Sequence, residues 1–207
     1  MEFTSADPSV IRSVKQRELL DTWLRARRKT LILPVIGDYQ PERIADELID
    51  MMEFEVTGDG NAARFLITHE GARLATTYGS EHIEPDQRTN RFLDDAVGPA
   101  QYARVSPFYR ACLARKRPVY SISTVQDGDG KEVSYERLLL PFGTADNVKQ
   151  IVGSYKTISI EGRFRINNLM GTRPEANPVG IVTAVIDLDF FPGPAGHPLC
   201  GAVIELN

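Results

Sequence analysis

The chain has 207 residues, 42% hydrophobic and 25% charged, the balance of an ordinary globular protein with room for one core plus extensions. A formal net charge of −4 argues against nonspecific binding to nucleic acid, and no run of about 18 apolar residues exists to span a bilayer. Cys112 and Cys200 match neither a disulfide framework nor a CxxC metal spacing, and Met1 to Pro8 has no apolar signal-peptide stretch, so a cytoplasmic protein is expected.

Residues 1 to 10 read as a disordered lead, and residues 11 to 50 as an N-terminal helical extension. Within it, Leu19, Leu20, Trp23 and Leu24 share one stripe of an amphipathic helix from Ile11 to Arg28. Its basic end, Arg25 to Lys29, matches the helix macrodipole and lacks the interleaved aromatics of a nucleic-acid surface. Pro41 suits the first turn of a second, short helix carrying Ile44, Ala45, Leu48 and Ile49.

Residues 51 to 160 form the expected core. Met51 to Thr57 and Arg64 to Thr68 alternate as strands around the turn Gly58 to Asn61, with Phe65 and Ile67 on one face. Residues His69 to Gly98 are the least periodic. Tyr102, Val105, Tyr109, Cys112 and Leu113 then recur at helical spacing, and the pair Ser106-Pro107 suggests an N-cap and N1 where the ordered helix starts. Three extended segments follow, Arg117 to Gln126, Lys131 to Phe142 and Val148 to Ile160. The first two are separated by the turn Asp127 to Gly130, and Pro141 marks where the ladder should stop or bulge. Two strands, a helical crossing and three strands predict an α+β fold: a five-stranded antiparallel sheet with helices on one face and the amphipathic helix at the N-terminus. Residues 161 to 207 read as a C-terminal extension with one strand in the apolar run Ile181 to Phe191.

In this order and spacing the chain resembles the PAS domain family, specifically the bacterial short, single-domain PAS proteins. The residues that carry the resemblance are Leu20-Asp21-Thr22-Trp23-Leu24 with Arg28, Leu33-Pro34, Asp38 with Pro41, and Arg64-Phe65 followed by Gly71. Tyr109, Arg117-Pro118 and Tyr135-Glu136-Arg137-Leu138-Leu139-Leu140-Pro141-Phe142 complete it. The chain departs from the pattern at His69-Glu70-Gly71, where the family usually has Gly-Thr, and from Arg163 onward. The resemblance implies a sheet and helices around a pocket, used to bind a ligand or to signal by partner contact. Some PAS proteins hold haem through a histidine, which would make His82 or His69 the candidate; no cofactor is expected.

The residues themselves ask for little chemistry. His69, His82 and His197 have no mutual ligand spacing, and Asp127 to Gly130 lacks the later acidic positions of a calcium loop. No Gly-x-Ser-x-Gly elbow occurs, and the pairs Asp94-Asp95 and Asp187/Asp189 read as solvated faces. Glu136 and Arg137 point to opposite faces of a central strand, so one of them faces the helices, where a charge needs a partner. Arg64 or Arg137 would offer a forked donor to an anionic ligand in a pocket lined by Phe65, Tyr78, Phe92, Tyr102, Phe108 and Tyr135.

The expected function is a noncatalytic sensory module that binds a small molecule or a signalling partner protein and dimerises through the N-terminal helix, whose stripe needs cover from the outer sheet face or from another copy. The alternative is a small enzyme with a buried pocket, built on Tyr135 with Glu136 or His69.

Overall fold

A computed structural model of the protein describes residues 2–30, 32–42, 44–75, 89–126, 132–144, 146–158 and 179–189. Its strands are β1 (Thr4–Ala6), β2 (Met51–Thr57), β3 (Arg64–Glu70), β4 (Arg91–Phe92), β5 (Val119–Gln126), β6 (Glu132–Thr144), β7 (Asn147–Ile158) and β8 (Val179–Ile186). The helices are α1 (Val14–Arg27), α2 (Ile44–Leu48), α3 (Ala72–Ala75) and α4 (Leu93–Arg115). The fold is α+β.

Among the described residues the strands form one sheet in the order β1-β8-β5-β6-β7-β2-β3-β4. The five strands expected from the sequence are contiguous at its centre, but the sheet has eight. β4 is added beyond β3, and β8 and β1 beyond β5; β1 runs parallel to β8, while the other neighbours are antiparallel. The short edge pieces were invisible to periodicity because two or three residues cannot show an alternation. Residues 1 to 10, expected as a disordered lead, contain β1, and Phe3 packs edge-on against Phe108 at 5.7 Å. The extension after residue 160 likewise supplies an internal strand, β8, hydrogen-bonded on both sides. The Asp127 to Gly130 turn lies outside the described residues.

The expectation of helices on one face is corrected: the sheet is covered on both. Alternation along β6 sends Leu139 towards α4 and Leu138 and Leu140 towards α1. One core joins Met52, Phe54, Phe65 and Ile67 to Val105, Phe108, Tyr109 and Cys112 of α4. The other joins Leu19, Leu20 and Trp23 of α1 to Tyr120, Leu138, Leu140, Phe142 and Val152. Ser13 caps α1, accepting from the Gln16 amide at 3.3 Å, and Trp23 is fully buried with its indole N–H donating to the Pro141 carbonyl at 2.8 Å. Burying an indole of this kind is worth about 3–5 kcal/mol by truncation. The apolar stripe of α1 is therefore covered by the chain's own sheet, and the cover for which a dimer was expected is supplied without a second copy.

Three local differences have local causes. α4 contains a break at Gly98 (φ 75°, ψ 165°), so its long segment starts at Pro99 and not at Ser106-Pro107. Positive φ is what glycine permits, and Pro99 then occupies the first position, where its missing N–H costs nothing. Pro107 sits inside the helix, four residues after the exposed Ala103, whose carbonyl loses its helical donor where water can replace it. α2 starts at Ile44, after Pro41, and its buried residue is Glu47. That burial is explained by Lys156 of β7, whose Nζ lies 2.7 Å from both Glu47 and the buried Asp50.

Candidate functional site

The site grows from the register of three strands. Ser121 of β5, Arg137 of β6 and Tyr155 of β7 are directly opposite one another, so their side chains rise from the same face, the one that α4 covers. Phe108 of α4 descends onto this row, with the Arg137 guanidinium carbon 4.6 Å from its ring centre. Tyr135 and Tyr155 stand 5.8 and 5.9 Å from the same carbon. These rings offer their negative faces to the cation. Tyr155 and Tyr109 share a hydroxyl hydrogen bond of 2.6 Å behind it.

Beside Arg137 a pocket of about 340 Å³ opens between α4 and strands β5, β6 and β8. Its walls are Gln101, Arg104, Pro107 and Phe108 on the helix, and Ser123, Tyr135, Arg137 and Gly180 on the sheet. Among the described residues no carboxylate, histidine or cysteine lines it. The volume falls at the lower end of the roughly 300–1,000 Å³ common for small-molecule sites.

Arg137 is 5% exposed, yet its Nε and Nη1 have no hydrogen-bond acceptor among the described residues. Burial opposes its charge, but Tyr135, Tyr109 and Tyr155 together outweigh that and hold its pKa above the ordinary guanidinium value. Burial pushes the Tyr109 hydroxyl up, so it stays neutral. Ser121, also buried, has an Oγ without a partner. Two unpartnered polar groups thus stand side by side in one row.

The neighbouring Glu136 faces the other way. Its Oε2 accepts from the Tyr120 hydroxyl at 2.8 Å and from the Ser13 amide at 3.0 Å, tying β6 to the start of α1. Because Glu136 and Tyr135 occupy opposite faces, the acid and phenol of the enzymatic alternative do not meet.

Of the eight candidate ligand residues, the structure brings Phe108, Tyr135 and Arg137 together at the pocket. Phe65 lies in the core against Tyr109, with ring centres 5.1 Å apart, and Tyr102 packs partly buried on the same core. Arg64 and Phe92 belong to the far edge of the sheet, where the guanidinium stacks 3.7 Å over the ring and pairs with Asp94 and Asp95. Tyr78 lies outside the described residues. The carboxylates read as solvated pairs therefore meet arginines, Asp187 and Asp189 doing so with Arg117 at 3.5 and 3.2 Å. Ser121, Ser123, Gln101 and Arg104 escaped the sequence reading. Their signal was the polar break in an otherwise apolar face of β5, where Val119 is followed by Ser121 and Ser123.

Among the described residues no group of three or more His, Cys, Asp or Glu side chains could hold a metal ion. His69 rests its Nε2 3.3 Å from the Leu48 carbonyl, while His82 and His197 lie outside the described residues. The Cys112 thiol is buried and burial raises its pKa strongly, which keeps it protonated and unreactive. No described helix is long and apolar enough to cross a membrane.

No family model and no curated protein matches the chain. Among solved structures, the chain is similar to an RNA-binding light-oxygen-voltage receptor at 18% identity and a TM-score of 0.34. That similarity covers 56% of this chain and 31% of the receptor chain.

Proposed function

We propose that this chain is a noncatalytic sensory module, in which a small molecule occupies the pocket between α4 and the sheet and output passes by contact with another protein. The observation that carries the reading is Arg137: a buried cation at a pocket, with two donor nitrogens left open among the described residues. A guanidinium stays charged in proteins, and an unpaired buried charge is costly, so such a group is retained where something completes it. The described lining fits a binding role, since among the described residues it is made of aromatic, guanidinium, amide and hydroxyl groups that hold a molecule in place. The PAS resemblance carried by Tyr135 to Phe142 supports the same reading, since those residues form the floor strand of the pocket.

Native mass spectrometry of the purified chain, combined with thermal melts against a library of small organic acids and bases, tests the proposal. A retained molecule, or a melting temperature raised by a library member without turnover, is the expected result. A chain that retains nothing and responds to no compound, or one that converts a compound catalytically, sinks it.

A further inference from the structure

We infer that the molecule held in this pocket is a small monocarboxylate with a planar, apolar body, its carboxylate bound by Arg137 and its body lying against the aromatic walls Phe108 and Tyr135. This inference rests on the sensory reading above and names its ligand class.

The donor geometry carries the first step. Nε and Nη1 lie on different edges of the guanidinium, so each hydrogen-bonding edge of Arg137 has a donor without an acceptor. Phe108, Tyr135 and Tyr155 surround the cation with their rings, and the Tyr135 side chain hydrogen-bonds it, yet Nε and Nη1 still have no acceptor among the described residues. The missing component is an acceptor, and a charged one, because Arg137 makes no ion pair with a described carboxylate. Ser123, opposite Tyr135 on the same face of the β5–β6 ladder, lines the pocket with a hydroxyl. A carboxylate has two oxygens about as far apart as a guanidinium edge needs, and one of them can also accept from a hydroxyl.

Charge decides between a monoanion and a dianion. Arg137 is the deeply buried charge of the lining, and Arg104 is only partly buried and already engaged with other groups. A single negative charge neutralises the floor, whereas a phosphate dianion would bring a second charge that Arg137 alone does not balance. Shape decides the body. Phe108 and Tyr135 supply aromatic walls, and about 340 Å³ accommodates one ring with its substituent.

The test uses the full chain and three probes of one shape at constant ionic strength: benzoate, neutral benzamide and phenyl phosphate, by calorimetric titration. Benzoate is expected to bind roughly tenfold or more tightly than benzamide, the factor that one charge-assisted hydrogen bond supplies. Phenyl phosphate is expected to bind more weakly than benzoate. Arg137→Met should abolish the discrimination between benzoate and benzamide while the folded protein melts no earlier than wild type, since an unpaired buried cation is removed. Arg137→Lys, which keeps the charge but loses both edges, should bind benzoate less tightly than wild type. Equal binding of benzamide, tighter binding of phenyl phosphate, or unchanged benzoate affinity in the Arg137→Met protein overturns the inference. Should that variant fail to fold, the wild-type comparison and Arg137→Lys still decide. If no probe binds but the purified protein retains a neutral molecule, the carboxylate class falls and the sensory reading stands; if nothing is retained either, both fall.

Discussion

Glu136 and Arg137 are adjacent in sequence and opposite in circumstance. Both are buried, yet the carboxylate accepts from two donors, the Tyr120 hydroxyl and the Ser13 amide, whereas two nitrogens of the guanidinium have no acceptor among the described residues. The difference makes opposite predictions for their removal. Glu136→Gln replaces a charged acceptor of two donors by an amide that must turn its NH2 away from both. It should cost about 1.5–3 kcal/mol in denaturant unfolding, the range for hydrogen bonds to charged groups, and speed hydrogen exchange at the Ser13 amide. An unchanged midpoint would mean that this carboxylate does not moor α1. Sequence reasoning reached the dichotomy of the two faces, because alternation on a strand is a matter of parity. It did not reach which face was satisfied, since the partners of Glu136 lie 16 residues away in Tyr120 and 123 away in Ser13.

At the scale of elements, the three central strands were legible nearly residue by residue, β5, β6 and β7 falling within a few residues of their expected bounds. Long alternating runs bounded by turns supply that information locally. The reversal between β6 and β7 shows why. Thr144 pairs with Asn147, and the register shifts between Phe142 and Gly143, next to the proline where an interruption was expected. Gly143 also donates its amide to the Pro34 carbonyl at 3.0 Å, and a Cβ there would stand 1.9 Å from the Asn147 carbonyl oxygen. Gly143→Ala should therefore open the bulge and lower the melting temperature, with a cost at the upper end of the ~1–3 kcal/mol typical of overpacking. A variant as stable as wild type would show that the reversal relaxes freely. The start of α4 was misread because two prolines compete for the first position of a helix, and only the backbone at Gly98 settles it in favour of Pro99. β4 and β1 were not legible at all, as pieces this short owe their existence to a neighbouring edge.

The whole molecule is a sheet with a core on each face, and its buried tyrosines report on both. Burial raises the pKa of Tyr109 on the α4 side and of Tyr120 on the α1 side; Tyr39, beside Phe142, is raised by burial and by the nearby Glu53 and Glu47. A folded pKa above the unfolded one means that the native state holds its proton longer. The resulting stability is complete below the ordinary tyrosine value of about 10 and is lost as pH rises from there towards the folded values. Urea midpoints should thus be flat on this account up to about pH 10 and fall above it. The tyrosinate absorbance of these three should appear together with loss of tertiary circular dichroism, not ahead of it. Ionisation of all three in a still-native protein would contradict the two-sided burial. The candidate pocket was only partly visible in the sequence for a related reason. Phe108, Tyr135 and Arg137 were named from residue type, but their meeting with Gln101, Arg104 and Ser123 depends on how α4 crosses the sheet, which no local pattern encodes.

The pairing of β1 with β8 has a consequence in time. Thr4 donates its hydroxyl to the Thr183 carbonyl at 3.2 Å across 179 residues of chain, and Asp187 donates its amide to the Ala6 carbonyl at 2.7 Å. A ribosome releases β1 long before β8 exists, so β1 must wait for its partner while the central meander assembles. Closing so long a loop is entropically late even for a refolding chain. β1 takes its place in the sheet only once β8 has followed it, and the edge it seals stays open to other strands until then.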